Sequence, residues 1–107
     1  MSAADVLHAL DATTGPVEVM GNGRLADEVR ALLGARLQAA GPRPVAVVEM
    51  TGAPEQLAAA LKRVDDLGTV VVAGPEPSAA LPLDLYEELH VRGLVVVGVP
   101  ADPRPAG

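Results

Sequence analysis

The chain has 107 residues, enough for one domain with a real core and too few for two. Its formal charge is −6, with 14 acidic residues against 8 basic ones, so no basic surface is expected to attract nucleic acid or an anionic membrane. There is no Cys, and His8 and His90 are the only histidines, which argues against thiolate chemistry, cysteine-containing zinc sites and a histidine-rich metal site.

Half the residues are hydrophobic, yet there is no Phe, no Trp and one Tyr, so the core has to be built from Val, Leu and Ala. Small and branched side chains of this kind suit a parallel sheet covered by helices on both faces. The longest apolar runs are strand-length, well short of the roughly 20 residues that a membrane helix needs. The opening stretch MSAADVLHALDA carries acids and no basic region ahead of its apolar positions, so it does not read as a signal peptide, and a cytoplasmic protein is expected.

In chain order, SAADVLHAL reads as a first helix, with Ser2 as N-cap, Asp5 near the capping-box position, and Val6, Leu7 and Leu10 turned inward. PVEVMG at 16–21 is the first strand. Leu25, Val29, Leu32, Leu33, Leu37 and Ala40 then follow the helical period and predict one long helix ending at Gly41-Pro42. PVAVVEM at 44–50 is the second strand. Leu57, Leu61 and Val64 line a further helix between Pro54, suited to a first turn, and Gly68.

GTVVVAG at 68–74 is the third strand, and the connection after it differs from the others. PEPSAALPLD is a proline-rich loop, and only LDLYEELHVR after it has helical character, with Leu85 and Leu89 on one side. GLVVVGVP at 93–100 is the fourth strand, and the tail 101–107 is expected to fray. Strands alternating with helices are the mark of right-handed crossovers, so all four strands should be parallel and the fold class α/β.

Gly21, Gly23 and Ala26 fit GxGxxA at a strand-to-helix junction, the context in which the pattern carries chemical meaning. Gly21 allows the tight turn, Gly23 a close backbone approach by phosphate, and Ala26 close packing of helix on strand. The N–H groups of the helix start, with Asn22 and Arg24 beside them, then form an anion-capable junction. Glycines here also serve any tight strand-to-helix turn, so both readings stand. An acidic residue ending the next strand would hold the adenosine ribose of a dinucleotide, and Glu49 ends that strand, 26 positions after Gly23 against a usual offset of about 20.

From Val45 to Pro100 the chain resembles the late part of the cofactor-binding domain of medium-chain, zinc-type alcohol dehydrogenases. Glu49, Thr51 and Gly52 stand where that family ends a strand in an acid and turns through Thr-Gly. Gly68 to Gly74 resembles its GGTVVLVG strand, and Leu89 to Gly98 its LHVRGLTIVG passage. The resemblance implies a reduced Rossmann-like three-layer fold whose four-stranded parallel sheet has the order 1-4-5-6 in family terms. Two family strands are then missing, Glu49 is not the ribose acid, and 16–21 becomes an exposed edge. The remaining site would comprise Gly21, Asn22, Gly23, Arg24, Thr51, Gly52, Ala73 and Gly74, with NAD or NADP as candidate cofactor for its pyrophosphate and nicotinamide side. No zinc is expected, because the family carries its zinc ligands on a separate catalytic domain.

Other residues read as structural. Tyr86 and His90, four apart on one short helix, could form a hydrogen-bonded acid/base pair but fit a polar helix rim better. Asp65-Asp66 and Glu87-Glu88 read as solvated faces, and His8 as exposed or capping. GPEPSAALP follows the C-terminal end of a parallel strand, where ligands enter open α/β sheets, and reads either as a stiff lip or as a connector. Two functions follow as expectations. One is a non-catalytic binding or interaction module, homodimeric through the edge strand 16–21 because a bare edge needs cover. The other is an NAD(P)-binding subunit whose catalytic domain lies on a separate chain; a small-molecule-binding accessory protein is a further alternative.

Overall fold

The computed structural model describes residues 1–75 and 84–100. Residues 76–83 of the proline-rich loop expected over 75–84, and the tail 101–107, lie outside the described residues. The elements run α1 (Ala3–His8), β1 (Val17–Met20), α2 (Arg24–Leu33), a 3-10 turn (Gly34–Arg36), β2 (Ala46–Glu49), α3 (Pro54–Arg63), β3 (Thr69–Val72), a π-helix (Leu85–His90) and β4 (Val95–Gly98). The four strands form one sheet in the order β1-β2-β3-β4, and every pairing is parallel. Consecutive strands are neighbours because each connection crosses over one face and returns to the same end of the sheet.

Side-chain alternation along the strands builds two half-cores. On one face Val17, Val48 and Val71 pack beneath Val6 and Leu10 of the first helical segment and Val29 and Leu33 of α2. On the other face Val47 and Val70 pack beneath Ala60, Leu61 and Val64, with Leu94 beside them. All four residues of β2 are buried, since this strand is covered on both faces and paired on both edges. Each buried Val or Leu contributes about 1.5–3 kcal/mol, so these short strands depend on cover from both faces.

Local signals set the helix ends. Asp5 N–H donates to Ser2 Oγ at 3.2 Å and Ser2 N–H donates to Asp5 Oδ2 at 2.9 Å, the reciprocal capping box that Ser2 and Asp5 predict. The bond from Ser2 holds the Asp5 carboxyl below its ordinary value. Pro54 occupies the first turn of α3, and Lys62 and Arg63 lie in its last turn, where the helix dipole favours cations.

The expected long helix over 25–40 is shorter than its apolar period suggests. Gly34 adopts φ +54 and its N–H caps α2 on Arg30 C=O, so the helix ends at Leu33. Leu32 is consequently 59% exposed, and Leu37 forms an isolated parallel bridge with Val17. The last connection is also not α-helical: Val91 N–H bonds Tyr86 C=O and Leu94 N–H bonds Leu89 C=O, both five residues back.

Candidate functional site

The residues singled out in the sequence occupy the C-terminal ends of β1, β2 and β3. The ladder runs one step past the strands, with Met50 N–H on Met20 C=O at 2.8 Å and Ala73 N–H on Glu49 C=O at 2.9 Å. Gly21 adopts φ +126, and a Cβ there would stand 3.2 Å from Met50 Cβ, so the β1 turn lies directly on the end of β2. A Cβ on Gly52 would stand 2.6 Å from Pro75 C=O, and one on Gly74 would stand 2.5 Å from Gly52 N. The structure therefore brings Gly21, Thr51, Gly52, Ala73 and Gly74 into one closely packed rim.

Glu49 holds that rim from below. It is 1% exposed, and its Oε1 accepts from Thr51 N–H at 2.7 Å and from the Thr51 hydroxyl. Oε2 accepts from Gly52 N–H at 3.4 Å, while Thr51 Oγ1 accepts from Ala53 N–H at 3.0 Å. A buried carboxylate with N–H and O–H donors on both oxygens is a structural clamp. Both Glu49 oxygens are thus engaged by the Thr51-Gly52 turn.

At the other side of the rim, Gly21, Asn22, Gly23 and Arg24 make the β1-to-α2 turn. Gly23 is the N-cap of α2 at φ +113, and no atom lies within 4 Å of the place its Cβ would take. The first helical bond is Asp27 N–H to Gly23 C=O at 2.9 Å, which leaves Arg24, Leu25 and Ala26 N–H without helical partners. Such a helix start attracts anions, and the open space above Gly23 gives one room to approach. Arg24 extends into solvent and pairs with Glu28 at 3.2 Å.

Arg30 and Gln38 had no signal in the sequence, yet they shape the neighbouring edge. The Arg30 guanidinium donates to Val19 C=O at 3.3 Å and to Gly21 C=O, and Gln38 N–H donates to Val17 C=O at 2.9 Å. The outward carbonyls of Val17, Val19 and Gly21 thus have donors already, although β1 is an edge strand of the sheet as expected. Beyond it lies a groove of about 490 Å³ with Met20, Val47 and Leu37 in its wall. Across its rim Arg63 forks onto both Glu18 oxygens at 2.7 and 3.2 Å, which raises the Arg63 pKa above its ordinary value. Among the described residues no strand pairs the opposite edge of the sheet, where Val95 is 51% and Val96 42% exposed on β4.

The remaining residues stand apart from the rim. Tyr86 and His90 stack with ring centroids 5.3 Å apart rather than forming a hydrogen-bonded pair. His8 is exposed and pairs with Asp11 at 2.8 Å, while Asp66 accepts from Arg92 at 2.8 Å. Among the described residues, no three His, Asp or Glu side chains gather as a metal site, and no helix is long and apolar enough to cross a membrane.

No protein-family model and no curated protein sequence matches the chain. Solved structures do match by fold. A chain described as a zinc-binding dehydrogenase (gutB) of Clostridium scindens superposes with a TM-score of 0.75 at 18% identity, over 91% of this chain and 39% of that one. L-idonate 5-dehydrogenase of Escherichia coli superposes with a TM-score of 0.67 at 11% identity, over 91% of this chain and 38% of that one. The chain thus has a dehydrogenase-like Rossmann fold and spans less than two fifths of the length of these neighbours.

Proposed function

We propose that this chain is a non-catalytic, dehydrogenase-like Rossmann module that works through self-association of its sheet. The observation that carries this reading is the state of the two sheet edges. β1 has donors on Val17, Val19 and Gly21 C=O, whereas β4 presents Val95 and Val96 on an edge that no strand among the described residues pairs. An uncovered apolar edge strand invites a further strand, and a two-fold partner satisfies both copies at once. This moves the expected homodimer contact from 16–21 to β4. Leu94 to Pro100 carries no charge, so pairing it with its copy sets no like charges opposite each other. Light scattering after size exclusion tests the reading: a mass of twice 10.8 kDa is expected, and a 10.8 kDa monomer at high micromolar concentration would overturn it.

The open glycine turn favours a second reading, an NAD(P)-binding subunit that meets a catalytic domain on another chain. Gly23 and the free N–H groups of Arg24, Leu25 and Ala26 would receive the pyrophosphate, and the rim of Thr51, Gly52, Ala73 and Gly74 would face the nicotinamide side. Arg30 and the 34–38 segment flank β1 on the side where the resemblance puts the lost strands, and the acid beside them, Glu18, is already paired with Arg63. Calorimetric titration with NAD, NADH, NADP and NADPH tests this reading, and absence of heat at millimolar cofactor would remove it.

A further inference from the structure

We infer that Leu67 is the anchor by which one copy of this chain holds a second, an inference that rests on the self-association proposed above. Leu67 is the one described residue other than glycine with a positive φ, at +63, and its side chain is 82% exposed. Leucine in the left-handed region is strained by its Cβ, and a turn of this shape ordinarily takes Gly or Asn at that position. Exposed leucines by themselves need no explanation. One that is both strained and exposed gains little within its own chain to offset the strain, so its reward lies outside it.

The surroundings hold this leucine in place. Gly68 N–H closes the turn on Asp65 C=O at 3.0 Å, and Leu67 N–H bonds Arg92 C=O at 2.9 Å. Arg92 in turn pairs with Asp66 at 2.8 Å and donates to the carbonyls of Leu61 and Val64, tying the turn to the end of α3. Gly93, at φ +67, makes room: a Cβ there would stand 2.6 Å from Leu67 Cδ2. The Leu67 side chain is presented on a fixed pedestal beside the start of β4.

Two-fold antiparallel pairing of β4 with its copy sets the start of one strand beside the end of the other and keeps the α1 faces on the same side. Leu67 borders the groove on the α1 face of its own chain. In the pair it would come to the end of the partner copy's β4, where the same chain carries a groove of about 430 Å³ with an apolar wall of Ala9, Val97, Val99 and Pro100 and with Asp5 and His8 on its α1 side. A second copy is therefore the occupant that fits: it brings an uncharged strand to the edge that no described strand pairs, and the valine and proline wall of its groove to the leucine.

Leu67→Gly and Leu67→Asn test the inference, because both residues accept the left-handed turn. Each is expected to raise the monomer–dimer dissociation constant at least tenfold by analytical ultracentrifugation. The urea midpoint of Leu67→Gly, taken at a concentration where all samples are monomeric, should stay at or above that of the parent chain. A smaller change in dissociation constant in either variant, or a lower midpoint for Leu67→Gly, would overturn the anchor role while leaving self-association standing. A parent chain that is monomeric throughout overturns both.

Discussion

Arg30 donates a hydrogen bond to the carbonyl of Gly21, so a side chain from the third turn of α2 fixes the turn that opens the same helix. The same guanidinium reaches Val19 C=O, joining the closure of the β1 edge to the shape of the glycine turn. Replacing Arg30 by Ala frees both carbonyls at a half-buried position. Hydrogen bonds to a charged group contribute about 1.5–3 kcal/mol, and water can reach this site, so a loss near 1–2 kcal/mol is expected in urea unfolding. An unchanged midpoint would show that the edge is closed by other means.

Glu49 is expected to be the costliest polar residue to remove. Glu49→Ala leaves the Thr51 and Gly52 donors without their acceptor inside the rim, and an unsatisfied buried group costs about 1–3 kcal/mol. Glu49→Gln keeps the shape and one carbonyl acceptor, so it should lose less. Chemical denaturation of the two variants orders them, and equal stability of Glu49→Ala and the parent chain would contradict the clamp.

The glycines of the rim and of the turn should respond differently to alanine. Gly74→Ala drives a Cβ to 2.5 Å from Gly52 N, a backbone atom that cannot swing aside, so a loss toward the upper end of about 1–3 kcal/mol is expected. Gly23→Ala meets no atom within 4 Å, so its loss, about 1–3 kcal/mol, comes from the backbone alone, held at φ +113 and ψ 178 where glycine is strongly favoured. Thermal unfolding of both variants measures the two costs, and an unchanged midpoint for Gly74→Ala would contradict the packing of the rim.

The capping box gives α1 a pH dependence of defined sign. The Asp5 carboxyl is lowered chiefly by the hydrogen bond from Ser2 N–H, so its contribution is present above the ordinary carboxylate value and is lost as pH falls through the lowered folded value. Asp5→Asn should therefore lower the thermal midpoint near pH 7 and approach the parent chain as pH falls below the ordinary carboxylate value. A midpoint difference that stays constant across that range would show that the carboxylate charge plays no part.

Much of this molecule is legible in one dimension. Four β-branched runs separated by helical periods determine four parallel strands with helices between them, because burial on both faces and a crossover connection leave few other solutions. Ser2 with Asp5, and Pro54, mark helix starts through bonds to residues three or fewer positions away, which local spacing can show. The resemblance to dehydrogenases likewise rests on contiguous passages, and the fold of the solved neighbours agrees with it.

Only the tertiary structure decided which edge carbonyls find donors among the described residues and which side chains hold the site. The apolar period through Leu37 continues past Gly34, but the helix does not, because the segment after it is drawn to the outer edge of β1. Arg30, Gln38 and Arg92 act on carbonyls, and every residue has a carbonyl, so nothing in the sequence marks their partners. Glu49 could as well have faced a ligand; its burial beneath Thr51 and Gly52 follows from how β2 and β3 end side by side. Leu67 is an ordinary leucine until the turn between α3 and β3 places it at positive φ beside Gly93, a contact between positions 26 residues apart. Local periodicity determines which elements form, and the long-range pairing of backbone donors and acceptors determines what they leave exposed.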